Sequence, residues 1–269
     1  DYQNIFGEDG NDTLVAGGGN VQRLDGGNDD DSLQGGSGSN QQLNGDAGND
    51  TRVAGGGSGQ RLFAGNGNDS LLGGTSNDSL DGSNGNDTLT GGLGDDTLIG
   101  GAGTDMASYA DATGGVTLLL TSSSSGSASG AVGTDSLTGI EWWLGSDYAD
   151  TITGSSFSDT LLGGNGADSV LGGLGNDSII ESNNDDAGND TLAGGAGTGS
   201  GLHIAGKARV TLDRTPDAPG GARFEIGQLF TEGLSSLQLD LTGEAYARLR
   251  DLTIKSGSGS GFNIGRGLE

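Results

Sequence analysis

The apolar residues of the first 196 positions fall on a ruler. Leu14, Leu33, Leu71, Leu80, Leu89, Leu98, Ile152, Leu161, Val170, Ile179 and Leu192 each stand two residues after an Asp. The Asp positions run 12, 31, 50 and 69, spaced by 19, then 78, 87, 96 and 105, spaced by 9. A second block runs 150, 159, 168 and 177, again 9 apart, and Asp190 follows after 13. Each Asp-x-(Leu/Ile/Val) unit reads as a strand of about three residues with one inward side chain, its neighbours pointing outward by the alternation of extended chain. A fixed period of this kind marks a stack of repeats, not a globule with a single core. One rung breaks the pattern. Arg52 stands where Leu is expected, so either Val53 shifts inward or the Arg52 side chain snorkels out to water.

A second ruler lies between the marks of the first. Gln3, Gln22, Gln41 and Gln60 are also 19 apart, and two residues on come Ile5, Leu24, Leu43 and Leu62. Each 19-residue unit is therefore two half-turns, one carrying Asp at the key place and the other Gln. From Asp69 onward every nine-residue step carries Asp.

Composition narrows the classes. Of 269 residues 59 are Gly and only 2 are Pro, which excludes collagen, and 30% hydrophobic with 4% aromatic cannot fill a conventional core of this length. The net charge is −26, and residues 1–196 carry all of it; residues 197–269 hold 8 acids and 8 bases. Such an acidic surface excludes phosphate readout of nucleic acid and points to cations as partners. There is no Cys, hence no disulfide, thiolate metal site or thiol nucleophile. No stretch approaches the 18 apolar residues of a membrane span, so no membrane insertion is expected. The chain begins without Met and reads as a piece of a longer protein, expected to be monomeric within it.

Residues 91–99 read GGLGDDTLI, residues 163–171 GGNGADSVL and residues 172–180 GGLGNDSII. These fit the nonapeptide G-G-x-G-x-D-x-U-x, a calcium-binding β-helix repeat. On these motifs the chain resembles the RTX (hemolysin-type calcium-binding repeat) family of secreted bacterial proteins, over roughly residues 1–105 and 150–196. The resemblance implies an all-β fold: a right-handed parallel β-roll, or β-helix solenoid, in which six Gly-rich residues turn and three form a strand. It also implies bound Ca2+, several ions per chain, an extracellular or cell-surface location and export by type I secretion. The metal-ligating candidates are Asp12, Asp31, Asp50, Asp69, Asp78, Asp87, Asp96, Asp105, Asp150, Asp159, Asp168, Asp177 and Asp190.

The chemistry of these residues leads to the same ion. With coils about 4.8 Å apart, stacked carboxylates about 5 Å apart repel by roughly 3 kcal/mol at an effective dielectric of 20. A divalent cation between them reverses the sign. Carboxylate and turn carbonyl oxygens suit calcium better than zinc or copper, and its flexible geometry better than magnesium. Affinity is expected on the order of 10⁻⁴–10⁻³ M, as for extracellular modules, with a largely disordered metal-free chain. A neutral Gln amide is a poor calcium ligand. The first four coils are therefore expected to bind calcium on one edge and to stack amides on the other.

The remaining segments are less regular. The organisation read from the sequence is 1–105 as the first repeat block, with 1–72 in 19-residue Asp/Gln units and 69–105 in nonapeptides. Then come 106–149 as a β insert, 150–196 as a second block, and 197–269 as a β-rich cap or continuation. The insert is expected to hold two strands, Val116–Thr121 and Leu137–Leu144, joined by a flexible Ser/Gly loop at 122–133, with Trp142 and Trp143 in the core. The tail is expected to hold strands at Ala208–Leu212, Ala222–Ile226, Leu237–Leu241, Leu249–Ile254 and Phe262–Ile264, because an open coil end needs a cover. The Asn-Asp-Ser/Thr tripeptides at Asn11, Asn49, Asn68, Asn77, Asn86, Asn176 and Asn189 are by-products of the repeat. His203, the sole His, has no companion for a triad or zinc site, and no catalytic constellation is present.

The functional expectation is a calcium-folded structural or adhesive segment of a large secreted or surface protein, with a cell-surface or matrix partner. The alternative is a C-terminal secretion-and-folding module of an exported hydrolase, protease, lipase or epimerase. A weaker third reading is glycan or ice recognition along the Gln ladder.

Overall fold

In a computed structural model the chain is all strand. It describes residues 3–19 and 22–181, and beyond them the short strands at 190–193, 201–204, 208–210, 225–226, 253–255 and 261–263. Among the described residues there is no helix, and so none long and apolar enough to cross a membrane.

Successive strands alternate between two parallel sheets. The first sheet begins with β1 (Gln3–Asp9), β3 (Gln22–Asn28), β5 (Gln42–Ala47), β7 (Arg61–Asn66), β9 (Ser79–Asn84) and β11 (Thr97–Ala102). The second begins with β2 (Thr13–Val15), β4 (Ser32–Gln34), β6 (Thr51–Val53), β8 (Ser70–Thr75), β10 (Thr88–Leu93) and β12 (Met106–Ser108). The register steps by one whole coil. Gln3 pairs with Gln22 and Leu24 with Leu43, and after the repeat shortens Ser70 pairs with Thr88 and Leu80 with Leu98. Each inward side chain thus stacks on its counterpart one coil away. In the first sheet the column runs Leu24, Leu43, Leu62, Leu80, Leu98; in the second, Leu14, Leu33, Arg52, Leu71, Leu89. These leucines are buried. The core is two columns wide and one side chain deep per half-coil, which is all that a chain this poor in apolar residues can supply.

Arg52 is corrected by the structure. It neither snorkels nor yields to Val53: it lies fully buried, paired in register with Leu33 and Leu71. Strand alternation is rigid, and a one-residue shift would turn Thr51 and Val53 the wrong way relative to their neighbours. The side chain stays in because carboxylates are waiting for it, as described below.

The insert is also corrected. The segment expected to be a flexible loop contains β14 (Ser125–Gly130), a central strand antiparallel to both β13 (Val116–Ser122) and β15 (Gly133–Thr138). Small Ser and Gly side chains do not preclude a strand whose backbone is hydrogen-bonded on both sides, and Ala128 is buried within it. The long strand expected at Leu137–Leu144 is instead β15 and β16 (Trp142–Leu144), which lie in different sheets, with Gly139 (φ 66°) at the break. The meander adds two strands to the first sheet, while β12 pairs directly with β16 in the second. The two largest buried aromatic side chains, Trp143 and Tyr109, sit at this step.

The two tryptophans part company. Trp143 is fully buried, facing Ala107 and Leu161 in register, whereas Trp142 is 42% exposed on the outer face. Trp143→Ala is expected to cost about 3–5 kcal/mol and Trp142→Ala at most about 0.5 kcal/mol. Denaturant melts in saturating calcium measure both, and equal effects would contradict this packing.

Beyond the insert, β17 (Thr151–Thr153), β19 (Ser169–Leu171) and β21 (Asp190–Ala193) continue the first sheet, and β18 (Thr160–Leu162) and β20 (Ser178–Glu181) the second. In the tail, β22 (Gly201–Ile204) pairs with β20, β23 (Ala208–Val210) with β21, and β24 (Glu225–Ile226) with β22, all parallel. The stack thus runs past residue 197 into the neutral segment. A separate antiparallel pair joins β25 (Thr253–Lys255) to β26 (Gly261–Asn263). The strand expected at Leu237–Leu241 lies outside the described residues, as do the side chains of Asp190 and His203.

Candidate metal centre

In the regular coils a six-residue Gly-rich turn, whose first residues still belong to the preceding strand, is closed by a ladder Asp, and on one edge of the first coils the closing residue is Gln22, Gln41 or Gln60. The consensus glycines have separate causes. The second and fourth turn positions need the left-handed backbone, as at Gly92 (φ 98°) and Gly94 (φ 136°). The first position needs room: a Cβ on Gly91 would lie 2.5 Å from Asp96 Oδ2, and one on Gly7 would lie 2.6 Å from Asp12 Oδ2 and against the carbonyl of Gly26 in the next coil.

The turns place the Asp carboxylates in two ladders, one along each edge. On the edge leading into the second sheet, the backbone N–H of Asp12 donates to Oδ1 of Asp31 (2.8 Å). Asp31 donates likewise to Asp50 (2.7 Å), Asp50 to Asp69 (2.7 Å), Asp69 to Asp87 (2.8 Å) and Asp87 to Asp105 (2.8 Å). On the other edge Gln60 N–H donates to Asp78 (2.8 Å) and Asp78 N–H to Asp96 (2.8 Å). In the second block Asp150 N–H donates to Asp168 (2.9 Å) and Asp159 N–H to Asp177 (3.1 Å). One oxygen of each acceptor is thereby committed to the backbone. The other, Oδ2, is buried without a hydrogen-bond partner at Asp12, Asp31, Asp69, Asp78, Asp87, Asp96 and Asp105. Buried carboxylate oxygens without partners are expensive, and their regular recurrence calls for a cation.

Burial without compensation shows in the acidities. Desolvation, opposed by the Gln60 N–H and reinforced by Asp96, pushes Asp78 up to about 7. Desolvation, with Asp69 and Asp105 adding repulsion, pushes Asp87 up to about 7 as well. Asp31, Asp96 and Asp105 are raised by the same leading cause.

Three ladder positions are satisfied from within. Arg52 Nη2 donates to Asp50 Oδ2 at 2.6 Å. In the turns ending at Asp150 and Asp159 the second and fourth positions are Ser146, Tyr148, Ser155 and Phe157, none with positive φ. The chain there folds back on itself. Ser146 N–H donates to Asp150 Oδ2 (2.5 Å) and its hydroxyl to Oδ1 (2.7 Å); Ser155 N–H and hydroxyl do the same for Asp159 (2.6 and 3.1 Å).

Two rungs were missed by the sequence reading. Asp96 N–H donates to Asp135 Oδ1 (2.9 Å), and Asp105 N–H donates to Glu141 Oε2 (2.9 Å), so both ladders extend into the insert. The signal was available at Asp135-Ser136-Leu137, which keeps the Asp-x-Leu spacing but stands 39 residues after Asp96. Asp135 Oδ2 accepts from the Tyr109 hydroxyl at 3.0 Å. Burial pushes Asp135 up to about 6, and burial beside Asp135 holds the Tyr109 hydroxyl well above its usual range, so it stays a donor.

The Gln ladder carries the hydrogen bonds expected of it. Gln22 Nε2 donates to Gln3 Oε1 and Gln41 Nε2 to Gln22 Oε1, both at 3.1 Å, and Gln60 Nε2 donates to the Gly38 carbonyl at 2.9 Å. Gln22, Gln41 and Gln60 are buried, however. Recognition of ice or glycans by these amides is therefore corrected: they face the interior of the turn, where the repeat points the key residue, and not solvent. The outer turn surface carries a different ladder. Asn49, Asn68 and Asn86 each accept through Oδ1 a backbone N–H from the next coil, that of Asn68, Asn86 and Thr104 respectively (2.8 Å each). That gives the recurring Asn its structural reason.

Among the described residues no three carboxylate or imidazole groups converge. What the turns offer is one carboxylate beside backbone carbonyls, a set of hard oxygens in a flexible Gly-rich loop, and this donor set fits calcium. Parallel coils closed by such turns define a calcium-binding β-roll. The model of the RTX calcium-binding nonapeptide repeat matches residues 4–22, 21–51, 54–89, 72–107 and 144–179, together about half of the chain, and the chain belongs to that family. RTX repeats bind several calcium ions per array, so calcium is the ion of this protein. A search of the curated proteins finds no match.

Proposed function

We propose that this chain is a calcium-folded structural rod within a secreted bacterial protein, serving an adhesive or spacer role outside the cell. The single observation that carries it is the row of buried, partnerless Oδ2 atoms at Asp12, Asp31, Asp69, Asp78, Asp87, Asp96 and Asp105. These residues, with the turn carbonyls facing them, are the proposed calcium ligands, and Asp168 and Asp177 are proposed with them by their place in the same ladders. Bound calcium supplies positive charge between rungs that otherwise repel. From Asp31 onward the chain's own contribution is to hold the ladder carboxylate by an N–H from the preceding coil, so that one oxygen is oriented in advance. Proteins of this family are typically secreted by bacteria, which supports an extracellular site where calcium is abundant. A stack of about eleven coils at about 4.8 Å each would reach roughly 50 Å, and a rod whose coils touch only their neighbours suits a spacer.

Asp87→Asn tests the assignment. Its calcium count by native mass spectrometry is expected to fall by at least one ion, because a neutral amide replaces a ligand on a ladder with Asp on either side. A count equal to that of the parent chain would remove the ladder from the calcium reading.

A further inference from the structure

We propose that Arg52 is a built-in cation that takes the place of calcium at one rung, between the turns ending at Asp50 and Asp69. The argument is a comparison of equivalent places. At the first residue of a turn, the space that a Cβ would take is walled by the turn's own Asp Oδ2 and, at Gly7, Gly73 and Gly82, also by the carbonyl that opens the turn of the next coil. At Gly82 a Cβ would lie 2.5 Å from Asp87 Oδ2 and against the Gly100 carbonyl, and at Gly7 the corresponding pair is Asp12 Oδ2 and the Gly26 carbonyl. In the turn 45–50 that space is filled, because a Cβ on Gly45 would overlap Arg52 Nη2. The nitrogen donates to the equivalent two oxygens, Asp50 Oδ2 at 2.6 Å and the Ala64 carbonyl at 2.6 Å. Arg52 Nη1 stands 3.4 Å from Asp69 Oδ1 on the following rung.

Asp50 is accordingly the one ladder Asp between 12 and 105 whose Oδ2 is not left partnerless. The guanidinium reaches the turn from inside the coil because Arg52 occupies the inward column, where its register neighbours are Leu33 and Leu71. Guanidinium is permanently charged and sheds its water more readily than an ammonium. It can therefore close this rung at any calcium level, with one positive charge tethered to the chain.

The inference rests on the calcium reading of the Asp ladder, and the experiment separates the two. Calcium bound at saturation is counted by native mass spectrometry for the parent chain and for Arg52→Leu, Asp50→Asn and Asp87→Asn. Arg52→Leu, which restores the residue found one coil to either side, is expected to bind one ion more than the parent. Asp50→Asn is expected to keep the parent count, whereas Asp87→Asn loses at least one. A parent count in folded Arg52→Leu, or a count lowered by Asp50→Asn, overturns the role of Arg52. If Arg52→Leu does not fold in calcium, Asp50→Asn decides alone. An unchanged count in Asp87→Asn would instead overturn the ladder reading on which this one stands.

Discussion

Removing calcium is expected to abolish most of the β-sheet signal of this protein, and restoring it to bring the signal back with a midpoint on the order of 10⁻⁴–10⁻³ M. The magnitudes decide this. Between Asp69 and Asp105 each nine-residue half-coil buries one leucine, such as Leu80 or Leu98, a gain of about 1.5–3 kcal/mol. That single leucine is small against the conformational entropy lost by nine residues, and stacked carboxylates add roughly 3 kcal/mol of repulsion per pair. With the ions the repulsion becomes attraction and the partnerless Oδ2 atoms are satisfied. The first four coils, with Gln on one edge, should yield last. Circular dichroism with and without a chelator reads the result, and a spectrum indifferent to calcium would refute metal-driven folding.

Acidifying the calcium-free chain from about pH 8 to about pH 5 is expected to restore part of the lost β signal, with protons doing some of the work of the metal. Asp78 and Asp87 are pushed from an ordinary value of 3.8 up to about 7, and Asp135 up to about 6, chiefly by burial. A carboxyl whose folded value lies above its unfolded one binds its proton more tightly in the folded chain. Its contribution to stability is fully present below about 3.8 and is lost as pH rises through about 7. In the presence of calcium the sign reverses for binding. Protons compete for the same oxygens, so the calcium midpoint should move to higher concentration as pH falls from about 8 to about 6. Spectra of dialysed protein across this range check both arms. A calcium-free signal that stays flat or falls on acidification would show that buried carboxylates do not limit the fold.

The ladders were legible wherever one residue type recurred at a constant interval. Leu24, Leu43 and Leu62 could be stacked from numbers alone, as could Asp69, Asp87 and Asp105, because a coil of fixed length puts equal residues in equal places. Asp135 and Glu141 were hidden for the converse reason. The hairpin of β13 and β14 lengthens one coil, so position along the chain no longer measures position along the stack, and Glu141-Trp142-Trp143 keeps neither the Asp nor the Leu of the motif. The turns at Asp150 and Asp159 carried a readable departure, Ser and an aromatic at the two positions that elsewhere need the left-handed backbone. Their consequence, a serine hydroxyl and N–H closing on the carboxylate, appears only with the turn geometry in place.

Period and composition by themselves determined that this chain stacks short strands into a calcium-binding roll, because a one-residue-deep core and a nine-residue acidic interval admit few other solutions. The tertiary structure alone decided which carboxylates remain open to an ion. Whether an Asp is left bare, capped by a serine or a tyrosine, or held by Arg52 depends on groups brought together across a coil or from its interior. Those distances are a property of the closed turn and cannot be read from the spacing along the chain.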